Sequence, residues 1–89
     1  MSKMTKRQRN LARAALGLPN SSKRSYRNRY FTPADSPQHA EWRALCTDGK
    51  ARLFKAAPGQ TLDQFCLTKV GALEALDLGE VLDQEDFPT

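Results

Sequence analysis

"EWRALCTDGKARLFKAAPGQTLDQFCLTKVGALEAL", residues 41–76, decides the fold. It reads as helix, strand, turn, strand, helix. Just upstream, Ser36 and Pro37 make a strong helix start: proline suits the first helical position, and the serine hydroxyl accepts from an exposed amide. Trp42, Leu45 and Cys46 then form an apolar stripe and Gly49 ends the element, which predicts a helix over 37–48. Two apolar runs follow, "ARLF" and "QFCLT", separated by "KAAPGQTLD" with its Pro58-Gly59 turn signal. They predict an antiparallel hairpin of 51–56 with 63–67. Thr68 caps a last helix over 69–77, with Val70, Leu73 and Leu76 as its apolar positions, and Gly79 closes it. Leu11, Trp42, Leu45, Leu53, Phe65, Leu67, Val70 and Leu73 are the expected core.

The chain opens on another helix. Thr5 and Gln8 fit a capping box, in which each side chain satisfies the other's backbone amide. Met4, Leu11, Ala15 and Leu18 fall near one stripe, with Lys6, Arg9, Asn10 and Arg13 away from it, and Gly17 with Pro19 supplies the stop. The helix is expected at 5–16. Between the two halves lies "KRSYRNRYF", residues 23–31, four cations among three aromatic rings with no acid. As a short helix it aligns Tyr26 and Tyr30 at i, i+4; as a strand it separates both tyrosines from Phe31. The helix is the expected form.

Eighty-nine residues make one domain at the usual size of roughly 100–200 residues. A chain this short buries only about 60% of its unfolded surface, which leaves little room for a deep substrate cleft. No apolar run approaches the roughly 20 residues that cross a bilayer, and the basic N-terminal stretch is not followed by the apolar region of a signal peptide. Cys46 and Cys66 read as reduced, small, buried hydrophobes. With His39 they make three ligands where a structural zinc site needs four, so no metal or cofactor is expected. There is no phosphate-cradling glycine loop, no HExxH and no GxSxG, and His39 has only Asp35 and Glu41 near it in sequence. No enzyme is expected.

Charge carries the functional signal. Residues 1–34 hold nine basic residues and no acid; residues 74–89 hold six acids, from Glu74 to Asp86, and no base. Such asymmetry points to a polyanionic partner for the head, or to the tail folding back as an internal counter-charge. The candidate nucleic-acid contacts are Lys6, Arg9, Arg13, Lys23, Arg24, Arg27 and Arg29. The tyrosines are expected chiefly to pack.

Leu45 to Gly49, followed by a strand, a wing and a returning strand that ends in Leu67-Thr68-Lys69-Val70-Gly71, resembles the C-terminal half of winged-helix regulators. With "YRNRYF" ahead of the hairpin, residues 26–76 also look like small tailed-phage and prophage proteins. The resemblance implies an α+β, winged-helix-like fold of three or four short helices and a two-stranded antiparallel hairpin. On this reading residues 1–79 form the domain and 80–89 an acidic, flexible tail. It implies a cytoplasmic nucleic-acid-binding protein, with DNA the expected partner. The alternative is a phage accessory protein that binds an acidic host or virion protein. The 37–48 helix departs from a groove reader, because Gln38, Glu41, Arg43, Thr47 and Asp48 give it little net charge.

Overall fold

Six elements follow one another in the computed structural model, which describes residues 3–87. They are α1 (Lys6–Leu16), β1 (Tyr30–Pro33), α2 (Pro37–Thr47), β2 (Ala51–Phe54), β3 (Leu62–Leu67) and α3 (Lys69–Ala75). The architecture is α+β, with three helices among the described residues packed on one face of an antiparallel sheet. Local chemistry starts each helix. Thr5 and Gln8 close the expected capping box on α1, while Ser36 caps α2 and Thr68 caps α3 through their hydroxyls.

The sheet has three strands, in the order β1-β3-β2, where the sequence predicted two. β2 and β3 pair from Ala51 opposite Leu67 to Phe54 opposite Gln64, and β1 occupies the other edge of β3 from Tyr30 opposite Phe65 to Pro33 opposite Leu62. The helix expected over 23–31 does not form. The Asn20 side chain donates to the carbonyls of Gly17 and Arg24 at 3.0 and 2.8 Å, and Lys23 adopts a left-handed φ of 55°. Asn28 then extends the ladder with its side chain. Its amide nitrogen donates to the Leu67 carbonyl and its oxygen accepts from the Leu67 amide. An open strand edge demands such partners.

The core lies between the helices and the inner sheet face. Phe65, on the central strand, stacks against Trp42 at 5.4 Å, and Tyr30 leans on the same indole at 5.5 Å. Leu16, Leu45, Leu67 and a set of alanines complete it, with Leu11 and Leu53 half-buried against them. On α1 the expected stripe faces inward, with Ala15 and Leu18 buried and Met4 and Leu11 packed against the core, but Arg13, expected away from it, is buried as well. The expected stripe of α3 is rotated. On α3, Val70 and Leu73 are exposed, and Gly71, Ala72 and Ala75 face the core.

The reason for the rotation is close approach. A Cβ on Gly71 would stand 2.1 Å from the Lys50 carbonyl oxygen, so α3 sits too near the α2–β2 junction for a larger side chain. Glycine to alanine in a helix ordinarily stabilises by up to about 1 kcal/mol. Here Gly71→Ala is expected to cost about 1–3 kcal/mol through overpacking against backbone. Urea unfolding measures it, and an unchanged or raised midpoint contradicts the packing described.

The C-terminal segment, expected to be a flexible tail that Val81, Leu82 and Phe87 could dock in part, is docked as far as it is described; residues 88 and 89 lie outside the described residues. Val81 bridges to Arg24 as an isolated pair of parallel residues. The amide of Asp83 donates to the buried Ser25 hydroxyl at 2.8 Å, and Phe87 is buried. The segment is therefore part of the domain.

Candidate functional site

The seven cations singled out from the sequence divide into two sets. Arg13 and Arg9 are turned toward the C-terminal acids. Arg13 grips Glu80 with both guanidinium nitrogens, Nη1 to Oε1 at 2.5 Å and Nη2 to Oε2 at 2.8 Å, and Nη1 also donates to the Ala75 carbonyl at 3.0 Å. Both side chains are more than nine-tenths buried. Arg9 donates to the Asp77 carboxylate and to the Leu76 carbonyl. The Arg13 guanidinium, helped by the Asp77 amide, holds the Glu80 carboxyl down at about 2. These contacts tie α1 to the end of α3. The alternative of an internal counter-charge is thus realised for this pair of arginines.

The other five face outward. Lys6, Lys23 and Arg24 are exposed, and Arg27 and Arg29 follow on the same segment. On α1, Lys6, Asn10 and Ala14 recur every fourth residue and so line one edge of the helix. Beside them Arg7 lies 3.6 Å from Glu41 across an open groove of about 690 Å³, bordered by α2 at Pro37 and Gln38. At the far end of this edge the Arg27 guanidinium donates to the Ala14 carbonyl at 2.7 Å, where a cation also complements the helix dipole. It lies over the Tyr26 ring at 5.4 Å. The Arg29 amide donates to the Ala15 carbonyl, and its side chain shares a hollow with Arg27 and Phe31. A basic stripe thus has Lys6 at the start of this edge, Arg27 at its end, a helix length of about 12 Å away, and Arg29 beyond it toward β1, while Lys23 and Arg24 lie beside the docked C-terminal segment.

The tyrosines behave differently from each other. Tyr30 packs, as expected. Tyr26 is exposed, with one side of its ring closed over Gly17, where an added Cβ would meet the ring at 2.3 Å.

Two side-chain contacts escaped the sequence reading, each with at least one buried partner. His39 Nε2 meets Asp63 Oδ2 at 2.9 Å, not Asp35 or Glu41, and the imidazole edge rests on Phe65. Asp63 Oδ1 accepts from the Ala56 amide at 2.9 Å, so that amide and the His39 ring together hold the Asp63 carboxyl below its ordinary range. This contact fixes the hairpin loop on α2. Lys50 is buried with its Nζ 2.7 Å from Glu74, whose other oxygen accepts from the Met4 amide. Lys50 and then Met4 lower the Glu74 carboxyl. Both pairs join residues 24 positions apart, a separation that no local pattern reveals.

Among the described residues no helix is long and apolar enough to cross a membrane, and no group of three or more His, Cys, Asp or Glu is placed to hold a metal ion. Comparisons with protein-family models, with curated proteins and with solved structures find no match.

Proposed function

We propose that this chain is a small nucleic-acid-binding protein, of phage or prophage type and acting in the cytoplasm, that grips the phosphate backbone with Lys6, Lys23, Arg24, Arg27 and Arg29. One observation carries the reading. Of the C-terminal acids, Asp77 and Glu80 are engaged with Arg9 and Arg13, and the five cations outside these pairs are all exposed on α1 and the segment that leaves it. Exposed cations of this kind position a protein on phosphates without reading sequence.

The winged-helix likeness is proposed for residues 37–75 alone. Its support is the succession of α2, the β2–β3 hairpin and the Thr68-capped α3. A single helix separates β1 from β2, so the paired helices of a helix-turn-helix are missing there. Contact is accordingly assigned to the stripe rather than to a recognition helix in the major groove.

A second reading, an accessory protein that binds a host or virion protein, is favoured by Val70 and Leu73, exposed three residues apart on α3. Fluorescence anisotropy across a salt series separates the two. Nucleic-acid affinity is expected to fall steeply with salt, because each neutralised phosphate releases counterions. The combined Lys6→Ala, Lys23→Ala and Arg24→Ala variant should flatten the log–log slope by about 2–3 units. No binding to duplex or single strand at about 50 mM salt, with the fold intact, hands the case to the protein partner.

A further inference from the structure

The helices cover one face of the sheet; on the other, Asp86 and Phe87 share a hollow with Arg52, Phe54 and Cys66, and the rest of that face is open. Antiparallel register places Phe31, Gln64 and Phe54 side by side across that open face, one residue from each strand. Phe31 and Phe54 are each 52% exposed, although large apolar rings normally contribute to the core of so small a domain. Their inward neighbours Tyr30, Phe65 and Leu53 pack beneath them, so the ring positions are set by a rigid sheet.

We propose that this face is a stacking platform for single-stranded nucleic acid, with one base on Phe31, one on Phe54, and the adjoining phosphates held by Arg29 and Arg52. The proposal rests on the nucleic-acid reading above and adds the form of the partner and the place of its bases. Two strand spacings put the ring-bearing backbones roughly 9–10 Å apart. That span suits splayed bases of an unpaired strand; in a duplex the base faces are already stacked on one another and only edges are offered.

Charge chooses this occupant over an apolar protein surface. Each ring has a cationic neighbour: Arg27 and Arg29 share a hollow with Phe31, and Arg52 and Lys69 share another with Phe54. Asp63, the one acid on the three strands, is turned inward to His39 and the Ala56 amide. Asp86 is the single carboxylate lining these two hollows among the described residues. Through Arg27 and Arg29 the platform is continuous with the stripe on α1, so one strand can follow both.

The test is anisotropy with oligothymidylate, oligouridylate and a duplex of equal length, using Phe31→Ala, Phe54→Ala and Phe31→Trp. Each alanine should lower single-strand affinity roughly 5- to 150-fold, the range for losing one base–aromatic stack. The tryptophan should retain it. Duplex affinity, the salt slope and the melting temperature should be unchanged, because both rings are half-exposed. Tighter binding of one homopolymer identifies the strand as RNA or DNA within the proposal. If wild type binds but the alanine variants match it on single strands, or lose single strand and duplex equally, the platform is overturned while the basic stripe stands. If wild type binds no nucleic acid, platform and stripe fall together.

Discussion

Replacing Glu80 by alanine should cost this domain about 3–5 kcal/mol, the usual loss when one member of a buried ion pair is removed. Total stability of a small domain is only about 5–15 kcal/mol, so the variant is expected to be marginally folded. The cost comes from Arg13. Its guanidinium stays charged at any accessible pH, and without Glu80 it is buried beside the Ala75 carbonyl and a more distant Asp77 carboxylate, 3.4 Å away. Replacing both partners by apolar residues, Arg13→Met with Glu80→Leu, should recover most of the loss, because no uncompensated charge remains. Acid should act like the mutation. The Glu80 carboxyl is depressed in the folded state from its ordinary 4.5 to about 2. The folded state therefore binds this proton less readily than the unfolded chain, and the stabilisation is complete above about pH 4.5. It is lost as pH falls from there toward 2. Asp63 and Glu74, also held low by their partners, lose stability in the same direction. In Glu80→Gln the acid-dependent part of the unfolding free energy should shrink by the share of Glu80. Denaturant unfolding at stepped pH measures this, and a variant with wild-type stability and an unchanged acid profile contradicts the pairing.

Phe65→Ala should cost a similar amount, about 3–5 kcal/mol, as expected for emptying a fully buried aromatic site. Phe65 is on the central strand, stacked on Trp42 and edge-on to His39, so its removal leaves a void where helices meet sheet. Val70→Ala, by contrast, should stay within about 0.5 kcal/mol, the usual range for surface substitutions. Thermal melts of the two variants side by side decide it. Equal losses at both positions contradict the core described.

That pair of positions also marks where the sequence stopped being legible. The starts of the helices were readable because capping is local: Thr5 with Gln8, Ser36 with Pro37, and Thr68 each act within a turn. The hairpin was readable from Pro58-Gly59 between two apolar runs. Hydrophobicity, however, ranks Val70 and Leu73 above Gly71, Ala72 and Ala75, whereas the inner face of α3 is chosen by how near the Lys50 backbone lies. β1 was misread because its partner is the distant edge of β3, and the i, i+4 tyrosines offered a plausible local substitute. The basic head and acidic tail were plain in the sequence, but which cations the tail would take was not. Arg13 is 67 residues from Glu80, and only the folded chain shows that it faces inward while Lys6 faces out. The ring pair of Phe31 and Phe54 was hidden for the same reason, since it exists only once the register of three strands is set.

The outward cations and the open sheet face are together proposed to contact nucleic acid. Amide and side-chain chemical shifts of labelled protein, followed while oligothymidylate is added at low salt, test it residue by residue. Shifts are expected to cluster on Lys6, Lys23 to Phe31, Arg52 and Phe54, with Val70 and Leu73 silent. Absence of shifts, or shifts confined to Val70, Leu73 and their neighbours on α3, would contradict it.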